Sequence, residues 1–219
     1  MKAVLFDMDG VLVDVSASYR QAIVKTIKTL SGIEISTEII RHYKNRGGLN
    51  NDWDLTEKIL ADSGKKIAKR EIISVFQGIY SGNHFDGLIL QERWLAPQPL
   101  LRGICRHYKT GIVTGRPRAE ARFVLKRFDC GFFFPVVITM NDLPPGKGKP
   151  NPAGIRLALK RLKVGSGWYV GDTVDDMLAA QAAGLHGVGI APQSEQARLL
   201  KENGARYVLP GVEHLIEIL

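Results

Sequence analysis

The chain has 219 residues, of which 45% are hydrophobic and 24% are charged, and its formal net charge is +8. Its length fits one domain, or one domain with a sizeable insertion, and its composition is that of a globular protein that needs no disulfides. No stretch reaches the length of a membrane span, and the N-terminal run is too short and too acidic for a signal peptide. We therefore expect a cytoplasmic protein without a membrane partner.

The positive net charge has two interpretations. A positive field attracts an anionic substrate such as a phosphate ester, whereas lysines on solvated helix faces, such as residues 160–163, give the same net charge. No basic run alternates with aromatic residues, which argues against a nucleic-acid partner. The two cysteines, Cys105 and Cys130, form no CxxC pattern and no Cys/His cluster, which argues against a zinc site and favours a reducing compartment.

Five short apolar runs recur along the chain, and a helical pattern follows four of them. The runs cover residues 3–6, 110–113, 135–138, 167–171 and 186–190. The helical patterns cover residues 117–127, 152–162, 174–183 and 194–202. Continuous apolar runs of this length are typical of strands that are buried on both faces. The alternation predicts an α/β fold with a doubly wound parallel sheet and right-handed crossovers.

Residues 15–94 interrupt this alternation. They contain four amphipathic helical patterns, each of which ends at a glycine, and no convincing strand. Because this stretch directly follows the first strand, we interpret it as an insertion into the core. The predicted domains are an α/β core of residues 1–14 and 95–219, and a four-helix cap of residues 15–94.

The first predicted strand ends at Asp7, and Asp9 follows in a turn that Gly10 permits. In a doubly wound sheet, functional residues gather beyond the carboxyl ends of the strands. Of two carboxylates placed there, one can attack phosphorus while the other, protonated, supplies a proton to the leaving oxygen. Like charges this close call for a cation, and Mg²⁺ suits them because it prefers oxygen ligands. The alternative interpretation is a turn with two solvated aspartates.

Two further motifs are suited to holding a phosphoryl group. Thr114 ends the second core strand, where its hydroxyl and the amide of Gly115 would bind a phosphoryl oxygen and Arg116 would add charge. Alternatively, Thr114 caps the following helix. Lys149 precedes a helix, where it would balance the charges of the nucleophile and the phosphate, with Lys147 as a rival candidate. The alternative for Lys149 is an ordinary solvated lysine.

A fourth motif places Asp172 at the end of the strand that covers residues 167–171, and Asp176 one helical turn later. This spacing puts both carboxylates on the side that faces Asp7, where they would complete the oxygen shell of the metal. The alternative is that Asp175 and Asp176 only stabilise the N-terminus of a helix.

The sequences DMDGV, VTGRP, GKPNP and GDTVDD, in this order, resemble the four motifs of the haloacid dehalogenase superfamily. The resemblance covers essentially the whole chain. The insertion after the first motif resembles the subgroup with a helical cap, which includes phosphoglycolate phosphatase and β-phosphoglucomutase. The resemblance implies that Asp7 is the nucleophile and Asp9 the general acid and base, and that Thr114 and Lys149 hold the phosphoryl group.

The same resemblance implies a Mg²⁺ site. Asp7, the backbone carbonyl of Asp9 and Asp172 would bind the ion, and Asp176 would help through water. One departure from the pattern is Arg116 after Thr114-Gly115, because Thr-Asn or Thr-Ser is more common at this point in the subgroup with this cap. This departure bears on which substrate the protein takes.

Residues 46–53 of the predicted cap are unusual for a connection between two helices. Two glycines, several polar side chains and an aromatic ring occur within eight positions. We predict that Arg46, Asn50, Asn51 and Trp53 take part in substrate binding. The alternative is a helix C-cap followed by an N-cap, with Asn50 or Asn51 as the capping residue.

Together these patterns predict a Mg²⁺-dependent phosphatase that hydrolyses a small phosphorylated metabolite through an aspartyl-phosphate intermediate at Asp7. A phosphomutase would use the same pair of aspartates, so that alternative stays open. A third interpretation is a regulatory protein that has kept the fold and lost turnover. Such a chain should lack at least one of the four central motif residues, and all are present: Asp7, Asp9, Lys149 and Asp172. We expect a monomer or a homodimer.

Overall fold

The computed structural model describes residues 1–49 and 51–219. The chain forms two compact units, one of Met1–Val13 together with Trp94–Leu219 and the other of Asp14–Arg93. The second unit begins and ends one residue before the predicted cap of residues 15–94.

The first unit is built on a parallel sheet of six strands. In chain order, the strands of the described residues are β1 (Ala3–Phe6), β2 (Val13–Asp14), β3 (Arg93–Trp94), β4 (Lys109–Val113), β5 (Val136–Ile138), β6 (Gly167–Gly171), β7 (His186–Ile190) and β8 (Ala205–Leu209). The order in the large sheet is β5-β4-β1-β6-β7-β8. The short strands β2 and β3 pair with each other. All five predicted strands are present, whereas β2, β3 and β8 were not predicted, and β3 lies at the end of a stretch in which no strand was expected.

Among its described residues, the second unit contains four α-helices: α1 (Tyr19–Ser31), α2 (Thr37–Asn45), α3 (Asp52–Asp62) and α4 (Lys69–Tyr80). Its interior includes a stack of two aromatic rings, Tyr19 and Tyr80, with centroids 4.0 Å apart. The buried carboxylate of Glu92 accepts hydrogen bonds from Ser18 and from Tyr80, each 2.9 Å long. A buried carboxylate is costly unless it has such donors, so these bonds hold the end of the unit to its first and last helices.

Five more α-helices belong to the first unit: α5 (Gln98–His107), α6 (Arg118–Arg127), α7 (Ala153–Leu162), α8 (Val174–Ala182) and α9 (Ser194–Glu202). Parallel strands with intervening helices confirm the predicted doubly wound fold, and α5 was not predicted. Across the described chain, no helix combines the length and the apolar character that crossing a membrane would need.

The core of the first unit lies under the strands that carry the motifs. Every residue of β1 is completely buried. Residues of α7 and α8 pack against the sheet in one cluster, which includes Leu5, Val113, Ile138, Ile155, Tyr169 and Ala180. Each fully buried aliphatic side chain of this kind contributes about 1.5–3 kcal/mol. The ends of β1, β4 and β6 are therefore held in place by a well-packed hydrophobic core.

Candidate active site

Three adjacent strands end in motif residues at the carboxyl edge of the sheet. β1 lies between β4 and β6, and the residues that follow these strands are Asp7, Thr114 and Asp172. The backbone amide of Asp7 donates to the carbonyl of Val170 in β6 at 2.8 Å. Because the strands are parallel, the first, second and fourth motifs meet at one edge.

Gly10 allows the first motif to approach the fourth. Its φ angle is 72°, in the left-handed region, and its amide donates to the carbonyl of Val13 at 2.8 Å. A Cβ atom at this position would lie 2.1 Å from Oδ2 of Asp172. Only glycine combines this backbone conformation with so close an approach to a carboxylate.

Lys149 places its ammonium group between two carboxylates. Its Nζ lies 2.8 Å from Oδ1 of Asp7 and 2.6 Å from Oδ1 of Asp176, and only 4% of its side chain is exposed. The rival candidate Lys147 is exposed. The structure therefore brings Lys149, and not Lys147, to the nucleophile predicted at Asp7.

The charges of the site are strongly coupled. Burial raises the pKa of Asp7 well above its usual range, Lys149 opposes this effect, and the negative charges of Asp176, Asp9 and Asp172 add to it. Burial lowers the pKa of Lys149, but Asp176 and Asp7 outweigh burial and hold that pKa well above its usual range. Lys149 is therefore a cation at neutral pH. Because a carboxylate nucleophile has to be ionised, the site needs positive charge beyond that of Lys149.

The two carboxylate oxygens of Asp176 have different partners. Oδ1 contacts Lys149 and accepts from the hydroxyl of Tyr169 at 3.3 Å. Oδ2 accepts from the amides of Asp172 and Thr173 and from the hydroxyl of Thr173, at 3.2, 3.1 and 2.7 Å. Asp176 thus completes the capping box at the start of α8, and its other oxygen belongs to the site.

An acidic cluster at this edge suits a divalent cation. Asp7, Asp172 and Asp176 each offer an oxygen, and these atoms lie within 4.8 Å of one another. Oδ1 of Asp7 is buried and accepts no hydrogen bond within residues 1–49 and 51–219, since its contact with Lys149 is an ion pair without hydrogen-bond geometry. Mg²⁺ prefers hard oxygen ligands. The three carboxylates supply such ligands, and one of these is the Asp7 oxygen that accepts no hydrogen bond from the described residues, so the cluster fits Mg²⁺. The side chain of Asp9 is not part of this cluster.

The second motif is a tight turn in which Thr114 and Arg116 are buried. The hydroxyl of Thr114 accepts from the amide of Arg116 at 3.1 Å, and Pro117 is the residue before α6, so Thr114 does not cap that helix. Gly115 is exposed at the turn. The side chain of Arg116, predicted to add charge for the phosphoryl group, is completely buried and binds Asp9.

The geometry of this site agrees with the comparison with known families. A model of the haloacid dehalogenase-like hydrolase family matches residues 1–184, a stretch that contains all four motifs. The chain belongs to this family. The predicted superfamily is confirmed, and the protein is an enzyme of the hydrolase class.

Three similar proteins illustrate the range of this family. An imidazoleglycerol-phosphate dehydratase of Phytophthora nicotianae is 38% identical over 241 residues, which cover 100% of this chain and 52% of that protein, so the chain spans about half of its length. A phosphoglycolate phosphatase of Pseudomonas fluorescens is 24% identical over 227 residues, which cover 98% of this chain and 78% of that protein. A haloacid dehalogenase-like hydrolase of Streptococcus pneumoniae has the same fold, with a TM-score of 0.79, 20% identity and coverage of 99% and 97% of the two chains.

Two residues of this hydrolase contact the motifs although sequence reasoning did not select them. The hydroxyl of Tyr169, in the middle of β6, bonds with the carbonyl of Val113 at 3.0 Å and with Asp176. Gln196, in α9, donates from Nε2 to the carbonyl of Asp172 at 2.7 Å. A tyrosine in a buried strand and a glutamine on a helix are ordinary in sequence, so no local signal marks either residue.

The residues predicted to bind substrate in the helical unit have different environments. Asn51 is the N-cap of α3, and its Oδ1 accepts from the amides of Trp53 and Asp54 at 2.9 and 3.2 Å. This is the capping interaction that was the alternative interpretation. Arg46 is exposed and Trp53 is half-buried. The fourth predicted residue, Asn50, lies outside the described residues.

Proposed function

We propose that this hydrolase is a Mg²⁺-dependent phosphatase that cleaves a small phosphomonoester through an aspartyl-phosphate on Asp7. The observation that carries the proposal is the placement of Asp7, which is buried beside Lys149 and within the acidic cluster of Asp172 and Asp176. A carboxylate with a cation on one side and a divalent-ion site on the other is arranged for nucleophilic attack on an anion. The phosphatase of Pseudomonas fluorescens supports the same class of reaction.

The proposed reaction has two steps. In the first, a carboxylate oxygen of Asp7 forms a bond to phosphorus while the bond to the leaving oxygen breaks, and Asp9 gives that oxygen a proton. In the second, water gives a proton to Asp9 and attacks the phosphorus of the aspartyl-phosphate, the bond between phosphorus and the Asp7 oxygen breaks, and inorganic phosphate leaves. Thr114 and Lys149 hold the phosphoryl oxygens, aided by the amide of Gly115.

The proposed metal site consists of Asp7, Asp172, Asp176 and the backbone carbonyl of Asp9. When bound, Mg²⁺ would supply positive charge that keeps Asp7 ionised and offsets the repulsion between the carboxylates and the substrate. Lys149 supplies the rest of the positive charge beside Asp7. Among the chain's own groups, Gln196 holds the carbonyl of Asp172 and thereby fixes the start of the fourth motif.

Removal of divalent cations is expected to lower the rate of phosphate release by at least about 10²-fold, because the carboxylates would then repel the substrate. Added Mg²⁺ should restore the rate, with Mn²⁺ or Co²⁺ as substitutes. Mg²⁺ should also raise the melting temperature of the substrate-free protein, since a ligand stabilises the state that binds it. Full activity in excess EDTA, with elemental analysis finding no metal, would contradict the metal requirement.

The test of the proposed function is a screen of phosphorylated compounds with and without Mg²⁺, with released inorganic phosphate as the readout. Phosphoglycolate belongs in the screen because of the Pseudomonas relative, and an imidazole-bearing phosphomonoester because of the Phytophthora relative. A phosphomutase would transfer the phosphoryl group back to its organic substrate and would therefore release little inorganic phosphate. Absence of Mg²⁺-dependent phosphate release from every compound would overturn the proposal.

We further propose that the segment of residues 46–53 discriminates between substrates. The core motifs recognise only the phosphoryl group, which all phosphomonoesters share, so the choice of substrate has to come from groups that contact the leaving-group side. This segment offers two glycines with φ angles of 74° and 77°, the cation of Arg46 and the indole ring of Trp53. The remaining residues of this proposal are Asn50 and Asn51.

Trp53→Ala and Asn50→Ala are expected to change kcat/KM unequally among good substrates, with losses of about 1–3 kcal/mol of transition-state binding. Turnover of p-nitrophenyl phosphate should fall much less. Asn51→Ala needs a stability control, because it also removes the N-cap of α3 at a cost of about 1 kcal/mol. If all three variants kept the rates of the parent protein and its order of preference among substrates, residues 46–53 would only connect two helices.

A further inference from the structure

The side chain of Arg116 has a place in the site that the proposed chemistry does not explain. Its Nε donates to Oδ1 of Asp9 at 2.8 Å, and its Nη2 donates to the same oxygen. The arginine side chain is 0% exposed, whereas that of Asp9 is 29% exposed. A completely buried guanidinium therefore donates two hydrogen bonds to one oxygen of a carboxylate that is still partly exposed to solvent.

The backbone of Arg116 is anchored independently of this contact. Its amide donates to the hydroxyl of Thr114 at 3.1 Å, and its carbonyl accepts from the amide of Met140, after β5, at 3.2 Å. The second motif thus fixes where the guanidinium lies, and the guanidinium in turn fixes Asp9, 107 positions earlier in the chain. The planar fork of an arginine sets the orientation of a carboxylate better than a single ammonium group does.

We propose that Arg116 is a positioning residue for Asp9, an inference that rests on the proposed function. Two donors occupy Oδ1 of Asp9, so the proton given to the leaving oxygen is carried by Oδ2. Arg116 holds the carboxyl group in the orientation in which Oδ2 is available. It also keeps this side chain apart from the acidic cluster of Asp7, Asp172 and Asp176, where a free carboxylate would compete for a divalent cation.

A positioning role differs from phosphate binding in its dependence on the leaving group. A proton donor matters most when the leaving oxygen is strongly basic, as in an alkyl phosphate, and little when it is weakly basic, as in p-nitrophenyl phosphate. A ligand of the phosphoryl group affects both esters equally, because both carry the same group. The ratio kcat/KM reports the steps up to departure of the leaving group, so hydrolysis of the aspartyl-phosphate does not mask the difference.

The experiment measures kcat/KM of Arg116→Met and Arg116→Lys with an alkyl phosphate and with p-nitrophenyl phosphate. For Arg116→Met we expect a loss of about 10²-fold with the alkyl ester and less than about threefold with the aryl ester. Arg116→Lys should recover part of the loss with the alkyl ester. Equal losses with both esters in the variants that fold, or no loss in either, would overturn the inference.

Further variants separate this inference from the proposed function. Asp9→Asn should show the same selective loss, and the double variant Asp9→Asn/Arg116→Met should be no worse than Asp9→Asn alone. Arg122→Met, which changes an exposed arginine of α6, should leave both ratios unchanged. If Asp7→Asn retained turnover, the aspartyl-phosphate mechanism would fail. If Asp7→Asn were inactive and Arg116→Met lost both esters equally, only the role of Arg116 would fail.

Discussion

Asp7→Asn is expected to lower kcat by about 10⁴-fold or more while the fold is kept. An amide has nearly the shape of a carboxylate, but it is a poor nucleophile and a weaker ligand for a hard cation. Asp7 lies at the end of a completely buried strand, and its backbone amide bonds to β6, so the substitution leaves the backbone contacts in place. Phosphate release measures the loss, and circular dichroism with thermal unfolding checks the fold.

Two companion variants make this result specific. Asp9→Asn should also be severely impaired with an alkyl phosphate, through loss of the proton donor. Asp62→Asn, at the end of α3, changes a carboxylate that pairs with Lys58 on the surface of the other unit and should retain activity. Near-normal turnover by a folded Asp7→Asn variant would rule out a covalent intermediate on this residue.

Lys149→Met is expected to have the largest combined effect on activity and stability. Removal of the ammonium group leaves Asp7 and Asp176 buried without the cation that both contact. Breaking a buried charge arrangement by deleting one partner costs about 3–5 kcal/mol of folding free energy. The loss of a group that stabilises the phosphoryl oxygens should lower kcat by a further factor of about 10²–10³. Denaturant unfolding and phosphate release measure the two effects separately.

The neighbouring lysine provides the matched control for this experiment. Lys147→Met changes an exposed side chain in the same loop and should leave both stability and activity unchanged. Added Mg²⁺ should recover part of the stability of Lys149→Met, because a divalent cation in the acidic cluster replaces some of the missing positive charge. If Lys147→Met lost activity and Lys149→Met did not, the assignment of the two lysines would be reversed.

Most of the core could be predicted because its strands are buried on both faces and therefore consist largely of apolar residues. The strand β8 was not predicted because it lies at the edge of the sheet, where Arg206 and Tyr207 are exposed and interrupt the apolar pattern. The helix α5 was not predicted because Pro97, Pro99 and Gly103 obscure the helical periodicity of its apolar residues. The two-residue strands β2 and β3 are too short to leave any pattern.

The motif residues could be placed at one edge of the sheet by the rule that parallel strands present their functional residues at their carboxyl ends. Which partner each residue takes could not be predicted. Arg116 was interpreted as a phosphate-binding cation, yet its guanidinium lies on Asp9, a pairing across 107 positions that only the folded chain reveals. Asp176 was interpreted either as part of the oxygen shell of a metal or as a residue that stabilises a helix N-terminus. Its Oδ2 completes the capping box of α8, whereas its Oδ1 contacts Lys149, a partner that was not predicted.

The position of β1 in the sheet has a consequence for how the chain folds during its synthesis. β1 leaves the ribosome well before the strands with which it pairs, β4 and β6, which begin at residues 109 and 167. The helical unit of Asp14–Arg93 is complete long before either partner exists. Throughout that interval, the four apolar residues of β1 have no partner strand, the situation in which nascent chains aggregate. Because the helical unit is inserted after β1, this central strand stays unpaired until the residues that lead to β4 have been synthesised.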